Sequence, residues 1–290
     1  MKILDLKTKY RIYAAAKINL MLDILDKRAD GYHEICSIMQ KISYFDTLDI
    51  TFTENDITVS GSDSLLPRNE KNICYKAAKA YFERSGIKGG VNIYIYKNIP
   101  TCAGLGGGSS DAAATLLALE KKFGALKTDL LPLATEIGAD VPFCMSERTA
   151  LCEGIGEKIT PIKTKDPSSF YVTVAKGSRG LSTAEIYNKF DLLPSPVRQN
   201  DADSLIRALE DGDVKATAEL LSNMFMPISA REIPEIAALQ KQFISLGALG
   251  SVMSGSGPSV FGIFSDMHSA VFASETLKKE GYTSFFATFL

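Results

Sequence analysis

The stretch Pro100-Thr-Cys-Ala-Gly-Leu-Gly-Gly-Gly-Ser-Ser-Asp-Ala-Ala-Ala, ending at Ala114, decides how the rest of the chain is read. Before it lies Val91-Asn-Ile-Tyr-Ile-Tyr, whose apolar residues alternate as in a strand. After it, a helix is predicted from Asp111 to Phe123, stopped at Gly124. The glycines at 104, 106, 107 and 108 let the backbone adopt positive φ and approach a ligand closely. The loop empties into a helix N-terminus, whose unpaired N–H groups and dipole attract anions. Ser109 and Ser110 add hydroxyl donors, and either could cap the helix. The physical reading is a phosphate cradle, with Gly107 as a position where a side chain would stand in the way of the phosphate. A flexible turn would explain the glycines alone, but not glycines, paired serines and an Ala-rich helix together.

Three familiar cradles do not fit. A Walker A loop needs Gly-Lys-Ser/Thr, and the chain has no Gly-Lys dipeptide. A dinucleotide fingerprint counted from Gly104 would need glycine where Ser109 stands, and an acidic residue about 20 positions later. That region offers only Asp129, on a helix start. The eukaryotic kinase elements Val-Ala-Ile-Lys and His-Arg-Asp are missing.

Outward from the loop, Ile18, Leu20, Leu22 and Ile24 alternate with Asn19, Met21 and Asp23, a strand period. Asp30-Gly31 marks a turn. Leu48–Thr53 and Asp56–Ser60 read as short strands, and Ile73, Ala77, Ala78, Tyr81 and Phe82 recur at helical spacing up to a Gly86 cap. A helix near Asp129–Ile137 ends at Gly138. Beyond Thr160–Ser169, where the composition shifts, come a strand at Phe170–Val174 and several helices between Asp201 and Leu246. The chain then reads strand, Gly/Ser loop (Ser254–Pro258), strand, helix, strand. Strands and helices mix without regular βαβ alternation, so the expected class is α+β. A boundary in the shifted segment divides the chain into residues 1–163 and 164–290.

Composition narrows the partners. The 290 residues are 46% hydrophobic and 23% charged, as in a globular protein with a sizeable core. A net charge of −2 carries no footprint for nucleic acid, and no run is long enough to span a membrane. The N-terminus is too mixed for a signal peptide. The five scattered cysteines have no Cys-x-x-Cys spacing, and with two histidines they predict free buried thiols in a reducing cytoplasm rather than a zinc site. The expected location is cytoplasmic. Cys102, beside the loop, is read as buried like the rest.

The loop from Pro100, with Ala103-Gly-Leu-Gly-Gly-Gly-Ser-Ser-Asp-Ala-Ala, resembles the ATP-phosphate loop of the GHMP kinases. Ala16-Lys-Ile-Asn-Leu, Asp30-Gly-Tyr-His-Glu, Gly138-Ala-Asp-Val-Pro-Phe and Ser254-Gly-Ser-Gly-Pro-Ser-Val-Phe match one branch of that family, in order, over essentially the whole chain. The resemblance implies a two-domain α+β GHMP kinase fold with the active site in an inter-domain cleft. It implies ATP, with Mg²⁺, as phosphoryl donor, bound by Pro100, Thr101, Cys102, Ala103, Gly104, Leu105, Gly106, Gly107, Gly108, Ser109 and Ser110. It implies phosphorylation of the 2-hydroxyl of a cytidine diphosphate-linked methylerythritol in non-mevalonate isoprenoid synthesis. Small molecules are the expected partners, with neither nucleic acid nor membrane.

On spacing alone, Asp140 is equally a turn aspartate or a general base for a hydroxyl. Lys17 is a strand-edge lysine or a cation that orients Asp140 and stabilises developing charge. The resemblance implies the catalytic role for both. Asn19 shares a strand face with Lys17 by the period of two and joins the substrate-binding candidates. The family likeness makes His33 a hydrogen-bonding partner of cytosine, with Tyr32 and Tyr187 as the aromatic clamp and Thr183 beside Tyr187. No acidic cluster offers itself to Mg²⁺, and Ser110 is the one candidate ligand. Two departures stand out: Ala15 replaces a usual proline, and Asn223-Met-Phe-Met replaces a usual acidic pattern, so no contact is assigned there. Two rival functions follow from the same residues. One is another GHMP kinase, of homoserine or mevalonate type, which Tyr32-His33 argues against. The other is a non-catalytic nucleotide-binding protein, which Lys17 with Asp140 argues against.

Overall fold

The computed structural model describes residues 1–146, 148–193 and 201–290. In chain order the described elements begin with β1 (Lys2–Asp5), β2 (Tyr10–Lys27), β3 (His33–Thr53), β4 (Ile57–Gly61), α1 (Ile73–Ser85), β5 (Gly90–Tyr96), α2 (Gly107–Phe123), α3 (Leu130–Ile137) and α4 (Val141–Met145). They continue with β6 (Thr149–Gly154), β7 (Lys158–Pro161), β8 (Tyr171–Lys176), α5 (Thr183–Phe190), α6 (Ala202–Asp211), α7 (Val214–Glu219), β9 (Ser222–Asn223), α8 (Met226–Glu232), α9 (Glu235–Ser245), β10 (Gly250–Met253), β11 (Val260–Phe264), α10 (Met267–Lys279) and β12 (Thr283–Thr288). The mixture without βαβ regularity is the α+β class that the sequence predicts.

These elements form two compact units that interleave along the chain. The first comprises Met1–Ala16, Tyr44–Pro100 and Gly106–Glu147; the second comprises Lys17–Ser43, Thr101–Leu105 and Arg148–Leu290. Strands β2 and β3 therefore give residues to both.

In the first unit, β1 runs antiparallel to the start of β2, pairing Lys2 with Tyr13. The end of β3 pairs antiparallel with β5, Thr47 opposite Tyr96, and β5 pairs parallel with β4. Val91, Ile93 and Ile95 of β5 are buried while Asn92, Tyr94 and Tyr96 face outward, the alternation read from the sequence. Helix α1 starts at Asn72, whose Oδ1 accepts from the Cys74 N–H, and ends at the left-handed Gly86. Tyr81 and Phe82 of α1 pack against Phe123 at the end of α2.

In the second unit, the start of β3 pairs antiparallel with β6, Ile35 opposite Gly154, and β6 pairs with β7. The later part of β2 pairs with β9, Met21 beside Ser222. A separate four-stranded sheet runs β10-β11-β8-β12, all antiparallel, and its β11 (Val-Phe-Gly-Ile-Phe) is buried along its length. Among the described residues, no helix is long and apolar enough to cross a membrane.

Strand β2 departs from its expected pattern. Alternation predicts one wet face, yet every residue from Ala14 to Ile24 is buried, the polar Lys17, Asn19 and Asp23 included. Buried polar side chains need partners, and those of β2 have them. The cysteine expectation needs one correction. Cys36, Cys74, Cys144 and Cys152 are buried free thiols, but Cys102 is exposed. It sits at φ 50° beside the exposed Thr101, and its side chain is left at the surface.

Candidate active site

The phosphate-loop helix lies in the first unit. Helix α2 begins at Gly107, not at Asp111, because Gly106 takes the left-handed conformation (φ 66°) and turns the chain into the helix four residues early. No side chain caps this end, so the sequence expectation that Ser109 or Ser110 caps it is corrected. The first intrahelical donor is the Ser110 N–H, to the Gly106 carbonyl at 2.8 Å. The N–H groups of Gly106, Gly107, Gly108 and Ser109 precede it and have no place in the helix ladder. With the positive end of the helix dipole behind them, they form an anion-binding end. The fully buried Ser110 hydroxyl donates to the Ala15 carbonyl at 2.7 Å, which ties the helix start to β2 at the position of the proline-to-alanine departure.

The expected role of Gly107 is also corrected. A Cβ there would meet Ile99 Cγ2 at 2.9 Å and Lys97 Nζ at 3.0 Å, so this glycine is required by packing beneath the helix. Gly108 is the exposed glycine of the turn, and a Cβ on it would find only Ile73 Cγ2, at 3.7 Å.

Beneath the helix start lies a buried ionic cluster that sequence reasoning missed. Lys97 Nζ donates to Asp111 Oδ2 at 2.8 Å and also to Asp46. Asp46 Oδ1 accepts the N–H groups of Asn98 (2.6 Å) and Ile99 (2.8 Å). The cluster thereby fixes the segment entering Pro100 and the first turn of α2 to one another. Burial pushes the Asp111 carboxyl up to about 8, against the pull of Lys97, and the Asp46 carboxylate adds to the rise. Burial draws Lys97 down, but the two aspartates outweigh it and hold the ammonium above the usual lysine range. The only sequence signal was an acid opening an Ala-rich helix.

Asp140 also lies in this unit, half-buried in the turn between α3 and α4, one residue before Val141. Its carbonyl accepts from the Cys144 N–H at 3.1 Å, which seeds the short α4. Gly138 ends α3 with extended backbone, and Pro142 near the start of α4 fits the free first turn of a helix.

The other candidates lie in the second unit. Lys17 Nζ donates to Asn19 Oδ1 at 2.7 Å, so the two share a strand face as the period of two requires. Asn19 Nδ2 donates to Ser37 Oγ at 2.9 Å, and that hydroxyl donates to the Met21 carbonyl at 2.6 Å. This relay fixes which way the Asn19 amide points. The loop Thr101–Leu105 docks beside it. The Lys17 N–H donates to the Leu105 carbonyl, Ser254 Oγ donates to the Gly104 carbonyl at 2.8 Å, and the Asn19 N–H donates to Ser254 Oγ. Gly104 is a required glycine: its φ is +74°, and a Cβ would overlap the Ser254 carbonyl. Ala103 and Leu105 are buried, while Thr101 and Cys102 are exposed.

Asn223, left without a role by the sequence, holds the Gly/Ser loop. Its Nδ2 donates to the Met253 and Gly255 carbonyls (2.7 and 2.8 Å), and its Oδ1 accepts the Phe225 N–H. Thr183, the first residue of α5, shares a hydrogen bond with Ser256 Oγ at 2.8 Å.

His33 is buried at the start of β3. Its ring centroid lies 4.9 Å from that of Tyr187, tilted by 34°. Phe190 meets His33 edge-on, and Phe225 meets Tyr187 in the same way. His33 Nε2 lies 2.6 Å from Asp191 Oδ1, a partner 158 residues away that the sequence did not suggest. Lys27 pairs with the other oxygen of Asp191. Tyr32 is 58% exposed, in the turn whose Asp30 Oδ1 accepts its N–H. His33 and Tyr187 are thus brought together, while Tyr32 is exposed in the turn before His33.

Residues 72–148 match the GHMP kinase N-terminal domain, and residues 205–283 match the GHMP kinase C-terminal domain. A relative from Caldicellulosiruptor saccharolyticus, described as 4-diphosphocytidyl-2-C-methyl-D-erythritol kinase, is 45% identical over 91% of this chain and 91% of its own length. A crystal structure of 4-(cytidine 5'-diphospho)-2C-methyl-D-erythritol kinase is 32% identical, with a TM-score of 0.80, covering 96% of this chain and 98% of the other. A homoserine kinase from Cytophaga hutchinsonii shares the fold at TM-score 0.77 with 21% identity, over 100% of this chain and 97% of its own.

Proposed function

The chain belongs to the GHMP kinase family, in the branch of the 4-diphosphocytidyl-2-C-methyl-D-erythritol kinases, and on that premise we propose that it transfers the γ-phosphoryl group of ATP to the 2-hydroxyl of 4-diphosphocytidyl-2-C-methylerythritol. The observation that carries this reading is the 45% identity to a curated kinase of that description over 91% of both chains. The likeness to homoserine kinase speaks for the fold alone, because superfolds host many chemistries.

In this reading, positioning does most of the work, as phosphoryl transfer leaves the protein little covalent chemistry. The open N–H groups at the start of α2 hold the ATP phosphates, with Pro100–Leu105 shaping the approach. Asp140 accepts the proton of the substrate hydroxyl. Lys17, oriented by Asn19, stabilises charge developing on the transferred group. Tyr32 and Tyr187 cover the cytosine faces, His33 reads its edge, and Thr183 lines the same site. Mg²⁺ supplies charge neutralisation between the phosphates when bound. Among the described residues no three His, Cys, Asp or Glu side chains gather to hold it. It fits as an ion carried by the nucleotide, which is how Mg²⁺ is usually held, with few protein ligands. Ser110 Oγ, whose proton goes to Ala15, keeps lone pairs for it. In this reading the two family domains are residues 1–163 and 164–290, a linear division that the interleaved compact units cut across, and the location is cytoplasmic.

The test is ADP release with ATP and, separately, the cytidine substrate, homoserine, mevalonate or no acceptor. Rapid turnover with the cytidine substrate alone is expected. Preference for homoserine or mevalonate, or binding of ATP without any turnover, would refute the reading.

A further inference from the structure

We infer that Asp191 holds the proton of the His33 ring on Nε2, leaving Nδ1 as a lone pair for the exocyclic amino group of cytosine. The inference rests on the cytidine reading above and adds a residue that sets base specificity. Its basis is the 2.6 Å contact between His33 Nε2 and Asp191 Oδ1. An ionised carboxylate can only accept, so the nitrogen facing it must carry the proton. Asp191 is ionised: Lys27 first, and His33 second, hold it below the usual carboxylate range. Among the described residues, Nδ1 has no hydrogen-bond partner of its own. The two nitrogens are therefore set apart, one committed to the protein and one left for a ligand.

The ring cannot turn to exchange them cheaply. Tyr187 covers it at 4.9 Å and Phe190 meets it at 6.4 Å, edge-on. Tyr187 and Asp191 are four residues apart, one turn of helix, so a single face of α5 brings both the aromatic cover and the carboxylate to His33. The Asp191 N–H donates to the Tyr187 carbonyl at 3.0 Å, which fixes that spacing.

The consequence concerns cytosine against uracil. Cytosine offers an amino donor where uracil offers a carbonyl acceptor. A lone pair on Nδ1 accepts from the first and repels the second. Asp191 does not touch the base in this account; it is a positioning residue. An asparagine at 191 could either accept from Nε2–H or donate to a bare Nε2, and so would free the ring to place its proton on Nδ1.

Two measurements test this. In ¹⁵N-histidine-labelled protein, long-range ¹H–¹⁵N spectra report which ring nitrogen is protonated, and His268→Gln leaves His33 as the only imidazole. The expected spectrum is the Nε2–H tautomer in the otherwise native protein and a mixture, or the Nδ1–H form, in Asp191→Asn. In the second measurement, the ratio of kcat/KM for the cytidine substrate to that for its uridine analogue should fall roughly 2- to 10-fold in Asp191→Asn, the effect of one neutral hydrogen bond at the base edge. The loss on the cytidine substrate should appear in KM. A proton on Nδ1 in the native protein, as the Nδ1–H tautomer or as the imidazolium, or an unchanged ratio in Asp191→Asn, overturns the inference while leaving the kinase reading intact. Failure of the native protein to turn over the cytidine substrate would instead refute that reading.

Discussion

Replacing Gly108 with alanine should stabilise the fold and weaken nucleotide binding at the same time. Gly108 is the second residue of α2, is exposed, and has a negative φ, so alanine fits its backbone. The added Cβ would touch only Ile73 Cγ2, at an ordinary 3.7 Å. Glycine in a helix costs about 0.5–1 kcal/mol relative to alanine. In the first turn the lower figure applies, so Tm should rise by about 1–2 °C. The same methyl stands beside N–H groups proposed to bind phosphate. Losing one hydrogen bond to a charged group costs about 1.5–3 kcal/mol, or roughly 10- to 100-fold in Kd. Calorimetric titration with a non-hydrolysable ATP analogue, beside thermal melts, reads both quantities. Gly107 and Gly104 cannot serve for this test, because their Cβ atoms would meet Ile99 and the Ser254 carbonyl and unsettle the protein itself. An unchanged Kd in a Gly108→Ala protein of raised Tm would refute the cradle. A lowered Tm would refute the packing argument.

Asp140→Asn should lower kcat by about 10²–10⁴ while both substrates still bind; near-native turnover in a stopped assay would remove Asp140 from the mechanism. Asp111 holds its proton more tightly folded than unfolded, so between about pH 4 and 8 the folded state binds the extra proton and stability falls as pH rises. Urea unfolding at pH 5 and pH 8 should show that loss, and Asp111→Asn should reduce it; an equal loss in the variant counts against the cluster as its source. Asn223→Ala leaves two carbonyls and one N–H without their partner and should cost at least about 2 kcal/mol in urea unfolding; a neutral result would show that the Gly/Ser loop holds its shape unaided.

What was legible in the sequence was local. The apolar period of β5, the Gly86 cap of α1 and the glycine-rich entry to α2 each depend on residues within a few positions of one another. Partnership across the chain was not legible. The alternation in β2 was real, but its wet face proved dry because Ser37 and Ser254, 18 and 235 positions from Asn19, close over it. The start of α2 was misplaced because a left-handed glycine begins a helix as readily as a serine cap does, and the sequence favoured the serines. His33 was singled out as a residue of interest, yet Asp191 had no mark except its place one turn beyond Tyr187. Asp46 and Asp111 lie 51 and 14 positions from Lys97 and share no motif with it; only their burial together gives the three a shared task.

The interleaving of the two units bears on how this protein could be inherited or taken apart. The chain passes between them five times, at 16/17, 43/44, 100/101, 105/106 and 147/148. No single break in the gene separates one from the other. A fragment of residues 164–290 would lack Lys17–Ser43, and with it the parts of β2 and β3 that complete its own unit. Exchange of one contiguous stretch would therefore not carry this unit whole. Splitting the protein at one bond should yield halves that regain order only when mixed, so the chain behaves as one heritable piece although it packs as two.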